Sequence, residues 1–276
     1  MSSSLGYLAF MRVAAIVVAA GRGERLGHAL PKAFVPLCGR TLLARAVAAL
    51  AASDRVDAVL PVLPAGMDPP RDAAHPKLLA AVAGGERRQD SVAAGLAALP
   101  DGVEFVAVHD AARALVRTTA VTRVIDAAIR HGAALLAVPA RDTVKRVRAG
   151  VVVETPPRDE CFAAQTPQVF RIGLLREALD KARAEGRTAT DCAQLVEALG
   201  VSVHVVPGDP DNWKITDAGD LAAAERALGA RSASFAQRVQ PQVARSEPKA
   251  SEGHQTSRSE PKASEDQQLA ERRRSE

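Results

Sequence analysis

The run VAAIVVAA at residues 13–20 is apolar from end to end and opens directly into GRGERLGHALPK. It is far shorter than the roughly 20 residues of a membrane helix. A strand buried on both faces has this uninterrupted character, and such strands lie in parallel sheets covered by helices. Arg12 ahead of it gives a superficial likeness to a secretory leader, but a basic glycine loop follows where the leader would be cut. The rest of the chain repeats the theme. Strand patterns at 56–63, 78–83, 103–109, 133–139 and 201–206 alternate with helical patterns at 41–52, 90–99, 118–130, 172–184, 191–199 and 217–228. Thr41 is placed to cap the first helix. This βαβ rhythm predicts an α/β fold, a Rossmann-like doubly wound, mostly parallel sheet with helices on both faces. Residues 143–154 (TVKRVRAGVVVE) break the rhythm and alternate around Ala149-Gly150 as a hairpin. An inserted β-hairpin arm that projects towards a partner and an ordinary edge hairpin share this pattern.

Hydrophobic residues make up 47% of the 276 positions and aromatics only 3%, so Ala, Val and Leu have to build the core. The expected domain covers 11–230, with residues 1–10 an upstream start ahead of Met11. Beyond it, RSEPKASE occurs at 245–252 and again at 258–265 among few apolar residues. Residues 231–276 are therefore expected to be a disordered tail, unable to bury enough surface to offset its ordering entropy. That tail holds nine Lys/Arg and seven Asp/Glu, leaving 27 and 25 for the first 230 residues. So balanced a domain is not expected to bind nucleic acid, and no stretch is long enough to span a membrane. Cys38, Cys161 and Cys192 lie far apart without a CxxC, which points to a reduced, cytoplasmic protein without structural zinc.

Glycines after a strand let backbone N–H groups approach an anion. Gly21 and Gly23 do this at the tip of the first strand. The dinucleotide fingerprint needs a third glycine where Leu26 stands, and a Walker A loop needs GK[ST] where Gly27 is followed by His28. Arg25 and Lys32 instead bracket the turn with two cations, an arrangement suited to a nucleoside triphosphate. A merely basic surface loop remains the bland reading.

The loop A-A-G-x-G-x-R with P-K after it resembles the nucleotidyltransferases that activate sugars and small alcohols. GGERRQDSV at 84–92, VHDAAR at 108–113, PARDTVKR at 139–146, QTPQVF at 165–170, TD at 190–191 and DNWKIT at 211–216 follow in order. Together they resemble the 2-C-methyl-D-erythritol 4-phosphate cytidylyltransferase family of the non-mevalonate isoprenoid pathway. The resemblance implies transfer of a cytidylyl group from CTP to methylerythritol phosphate, with Mg²⁺ or another divalent cation, in a homodimer joined through the 143–154 arm. It implies that Arg25, Lys32 and Lys214 are the catalytic cations. Ala19, Ala20, Gly21, Gly23, Gly85, Arg88, Asp90, Ser91 and Asp110 would bind CTP, with Asp110 also at the metal. Arg113, Thr143, Arg158 and Thr166 would hold the methylerythritol phosphate. For Asp90 and Ser91 a helix-capping role is the plainer reading and can hold together with the ligand role; for Asp110 capping is the competing reading. Lys145 and Arg146 read as a solvated face. The chain departs from the family at Ala114, where Pro usually follows the HDAAR motif. A cytidylyltransferase for another polyol phosphate, such as ribitol 5-phosphate, shares the CTP half. A non-catalytic scaffold would need none of these charged residues.

Overall fold

The computed structural model describes residues 12–21, 23, 26 and 30–239. The chain divides into two units, Met1–Ala236 and Gln237–Glu276, and the sheet and the site belong to the first. Strand β1 (Val13–Val18) pairs in parallel with β4 (Ala58–Leu63) on one side and β6 (Phe105–Asp110) on the other. With β5 (Val82–Ala83), β7 (Ala133–Pro139), β10 (Phe162–Arg171) and β11 (His204–Pro207) they form one seven-stranded sheet, ordered β11-β7-β10-β6-β1-β4-β5. Every pairing is parallel except those of β10, which runs antiparallel between β6 and β7.

The apolar run of β1 is explained by burial on both sides. Val13, Ala15 and Val17 face one core, Ala14 and Ile16 the other. The first core is completed by α1 (Leu42–Ala51) and α3 (Thr118–His131), the second by α2 (Arg88–Ala98), α4 (Ile172–Ala184) and α5 (Cys192–Glu197). Helices thus cover both faces, as the alternation predicts. Thr41 caps α1 by accepting from the Ala44 N–H at 3.1 Å, and Asp72 in turn receives the Thr41 N–H at 2.6 Å. Just before α1 lies a tight hairpin, β2 (Pro36–Leu37) and β3 (Arg40–Thr41).

The arm is an insertion rather than a sheet edge. β8 (Arg146–Arg148) and β9 (Val151–Glu154) pair only with each other, through a turn in which Ala149 and Gly150 take φ of 47° and 79°. Positive φ at both central residues matches the turn whose twist suits a two-residue hairpin. Val147, Val151, Val152 and Val153 stand exposed on it.

Three sequence expectations shift. The strand expected at 78–83 survives only as an isolated bridge at Leu78 and the short β5, because the chain makes one rung with Val59 and then swings away. β10 has no counterpart in the strand pattern, since polar residues and Pro167 interrupt it. The final helix, α6 (Ala218–Val239), runs past the boundary set at 230. Arg231 gives it a reason to continue: its guanidinium donates to the Leu115 carbonyl at 3.1 Å and to Asp211 at 3.0 Å. The repeat at 245–265 lies outside the described residues, and so do residues 1–11. No described helix is long and apolar enough to cross a membrane.

Candidate active site

From β1 the chain crosses through α1 to β4 on one side, then returns through α2 to β6 on the other. Crevices open at such a switch point, outside the carboxyl ends of the strands. A cavity of about 270 Å³ lies there. Its walls come from four places: the loop after β1 (Ala19, Ala20, Gly21, Gly23, Lys32), the start of α2 (Gly85, Arg88, Ser91), the end of β6 (Asp110) and the segment bearing Lys214.

Asp110 is the electrostatic centre. Its Oδ1 accepts from Arg88 Nε at 2.9 Å and its Oδ2 from Lys214 Nζ at 2.8 Å. Burial alone would raise its pKa, but the two cations outweigh burial and hold the carboxyl well below its ordinary range. Asp110 is therefore ionised. Arg88 is half-buried, and the Asp110 carboxylate more than offsets that, raising the guanidinium's pKa. On its far side Arg88 Nη1 donates to Cys192 Sγ at 3.4 Å. Burial pushes the Cys192 thiol up, so it stays protonated. Lys214 is more exposed, and its neighbours hold it in place: Ile215 N–H donates to Ala112 O at 2.9 Å, and Asn212 Nδ2 to Thr166 O at 2.9 Å.

The glycines divide by purpose. Among the described residues, a Cβ on Gly21 would meet nothing within 4 Å, and Gly21 lines the cavity. Gly23 has φ +70°, and a Cβ there would lie 2.4 Å from Lys32 Cβ, so the turn closes directly on the lysine. Gly84 packs against Ala20, with 2.4 Å between an added Cβ and the alanine's own. Ser91 Oγ accepts the Gly85 N–H at 3.1 Å, which fixes the loop at the start of α2.

The cavity thus gathers Ala19, Ala20, Gly21, Gly23, Lys32, Gly85, Arg88, Ser91, Asp110 and Lys214 from the residues expected at the site. Arg25 lies outside the described residues. Five others do not line it. Asp90 turns to Arg87, accepting from its Nε at 2.8 Å and its backbone N–H at 3.2 Å, so its carboxylate holds the N–H that precedes α2. Here the capping reading describes the geometry. Arg113 donates to the carbonyls of Asn212 at 2.8 Å and Ala164 at 3.0 Å. Thr143 and Arg158 are exposed at the two ends of the arm. Thr166 adjoins Asp110 but is buried, its Oγ1 accepting the Asp110 N–H at 3.1 Å and lying 3.0 Å from His109 Nδ1. His109 is itself fully buried, and burial lowers its pKa to about 4, which keeps the ring neutral. The capping alternative for Asp110 finds no support, because its carboxylate is taken by Arg88 and Lys214. Sequence reasoning missed the residues behind the cations, Cys192 and Asn212, although Asn212 lies in the quoted DNWKIT.

The family model described as IspD, 2-C-methyl-D-erythritol 4-phosphate cytidylyltransferase, matches residues 13–230. Proteins named 2-C-methyl-D-erythritol 4-phosphate cytidylyltransferase are similar over most of their length. That of Geotalea uraniireducens is 42% identical over 226 residues, covering 79% of this chain and 97% of its own. That of Deinococcus radiodurans is 47% identical over 218 residues, covering 79% and 90%. The crystal structure of the Thermus thermophilus protein of that name superposes with a TM-score of 0.67 at 38% identity, covering 79% of this chain and 100% of that one.

Proposed function

Since the chain belongs to the 2-C-methyl-D-erythritol 4-phosphate cytidylyltransferase family, we propose that it joins CTP to methylerythritol phosphate in this cavity, releasing pyrophosphate. The product is the CDP-alcohol of isoprenoid precursor synthesis. The observation that carries the site assignment is Asp110 clasped between Arg88 and Lys214 at the switch point. Both reactants are anionic, and phosphoryl chemistry of this kind asks a protein for alignment and charge neutralisation more than for covalent help. Lys214 is the cation for the α-phosphate, where charge builds as the substrate oxygen attacks. Lys32, with Arg25, takes the outer phosphates against the backbone of Gly21 and Gly23. Arg88 and Ser91 border the base, with Gly85 allowing close approach.

A divalent cation fits this site. Asp110 is ionised and lines the cavity, and Mg²⁺ needs only one or two carboxylates when phosphates and water complete its shell. Asp110, whose oxygens Arg88 and Lys214 also hold, would hold it, and the ion when bound would neutralise and orient the triphosphate. Exposed valines on the arm favour a second copy of the chain as its partner, which would bring that copy's Thr143 and Arg158 to the methylerythritol phosphate. Arg113, tied to the Asn212 and Ala164 carbonyls, and Thr166, which fastens Asp110, are the residues of this chain assigned to the methylerythritol phosphate. The three unpaired cysteines suit the cytoplasm.

Pyrophosphate release, measured with CTP, Mg²⁺ and either methylerythritol phosphate or ribitol 5-phosphate, tests the reading. Turnover is expected with the first. Absence of that turnover, or faster release with ribitol 5-phosphate, refutes it.

A further inference from the structure

Strand β10 carries two glutamines, Gln165 and Gln168, that are 3% and 1% exposed and have no part in the chemistry above. A buried amide is costly unless its donor and acceptor are both satisfied. Gln165 is satisfied by the segment that carries Lys214, and Gln168 by the first turn of α5, whose Cys192 contacts Arg88.

Gln165 serves the Lys214 side. Its Nε2 donates to Asp209 O at 2.8 Å, while its Oε1 accepts from Asp209 N at 3.3 Å and Asn212 Nδ2 at 3.2 Å. The segment is drawn in so closely that a Cβ on Gly208 would lie 2.4 Å from Gln165 Oε1. Lys214 follows two residues after Asn212, and Ile215 is anchored to Ala112 beyond it. Gln168 serves the Arg88 side. Its Nε2 donates to Asp191 Oδ2 at 2.7 Å, and its Oε1 accepts the N–H groups of Cys192 and Ala193, both at 3.1 Å. That fixes the first turn of α5, whose Cys192 sulfur receives Arg88. Glutamine suits both positions because its amide donates and accepts at once, which neither a carboxylate nor an ammonium can do.

We infer that Gln165 and Gln168 are positioning residues, Gln165 for Lys214 and Gln168 for Arg88, so that a single strand sets both cations on Asp110. The inference rests on the roles proposed above for those cations.

Crossed double-mutant cycles test it. The full chain is assayed for kcat and for KM towards CTP, with thermal midpoints recorded for every variant. Gln165→Ala is expected to lower kcat/KM about 10- to 100-fold, the scale of an ångström-level misplacement. In a Lys214→Met background the same change is expected to cost less than about twofold, because coupled residues do not add. In Arg88→Met it keeps its full effect. Gln168→Ala is expected to show the reverse, silent with Arg88→Met and fully costly with Lys214→Met. Losses that multiply in all four combinations mean general scaffolding and overturn the inference. Should an alanine variant not fold, Gln165→Glu or Gln168→Glu keeps the size, removes the donor, and is expected to give the same crossed pattern. Unchanged turnover in Lys214→Met overturns the proposed role of Lys214 and the inference with it. Lost turnover there without the crossed pattern overturns the inference alone.

Discussion

Gly21 and Gly23 stand two residues apart in the same loop, and the structure predicts that alanine there has two different effects. At Gly23 the new Cβ would lie 2.4 Å from Lys32 Cβ and 3.2 Å from Lys32 Cα. Carbon atoms in comfortable contact are about 3.8 Å apart, so Lys32 has to retreat by roughly 1.4 Å. The Cα is also too close, so a rotamer change cannot relieve the contact. The backbone adds its own cost, since φ of +70° penalises an L side chain by about 1 kcal/mol or more. Gly23→Ala is therefore expected to destabilise the fold by about 1–2 kcal/mol and, by moving Lys32 more than an ångström, to lower kcat/KM roughly 100-fold. At Gly21 no described residue lies within 4 Å of the added methyl. Gly21→Ala is expected to leave stability within about 0.5 kcal/mol and to raise KM for CTP, because the methyl occupies space the nucleotide needs. Urea denaturation and steady-state pyrophosphate release on both variants measure the two quantities. If Gly23→Ala denatures like the wild type and keeps its kcat/KM, the turn does not depend on the close approach of Gly23 to Lys32. Equal loss of stability in both variants would refute the distinction itself.

Asp110→Asn leaves the part-buried Arg88 without its counter-charge and is expected to destabilise the protein by about 3 kcal/mol in urea; a change below about 1 kcal/mol would mean the pair is better solvated than its geometry implies. At the start of α6, burial pushes Asp220 up, but bonds from the Thr216 hydroxyl and from the backbone N–H groups of Thr216 and Asp217 outweigh it and leave its pKa lowered. The unfolded chain then takes up this proton first as pH falls, so the stability Asp220 lends is full above the ordinary carboxylate range near 4 and drains as pH drops through the lowered value. Asp220→Asn is expected to flatten the decline in denaturation midpoint between pH 5 and pH 2.5, and an unchanged slope would count against the assignment.

What the sequence made readable was what local rules govern. The β1 run, the Thr41 cap and the helical periods of α1, α3 and α4 each depend on neighbours a few residues away. The clasp on Asp110 does not. Its partners lie 22 and 104 residues off, and only the resemblance brought Arg88 and Lys214 to attention. β10 was hidden for a related reason. Gln165, Thr166 and Gln168 are buried, yet a polar stretch with a proline reads as a loop when the segments that satisfy it are far along the chain. Asp90 and Thr166 show the converse. The motif match names them for a ligand and is silent on their structural bonds, by which Asp90 holds the N–H that precedes α2 and Thr166 fastens the end of β6.

The antiparallel strand also decides when the molecule can be completed on the ribosome. β6 connects through α3 to β7, but the two strands do not pair; they leave one strand's width between them, about 10 Å from axis to axis. The strand that fills this gap is not made until Arg171 has been added. Until then the nascent chain carries β5-β4-β1-β6 as one ribbon with an open inner edge, and β7 has no partner at all. Such edges invite pairing with other chains. Late synthesis of this interior strand makes this a protein whose C-terminal half seals its N-terminal half, so fragments ending before β10 should aggregate rather than fold alone.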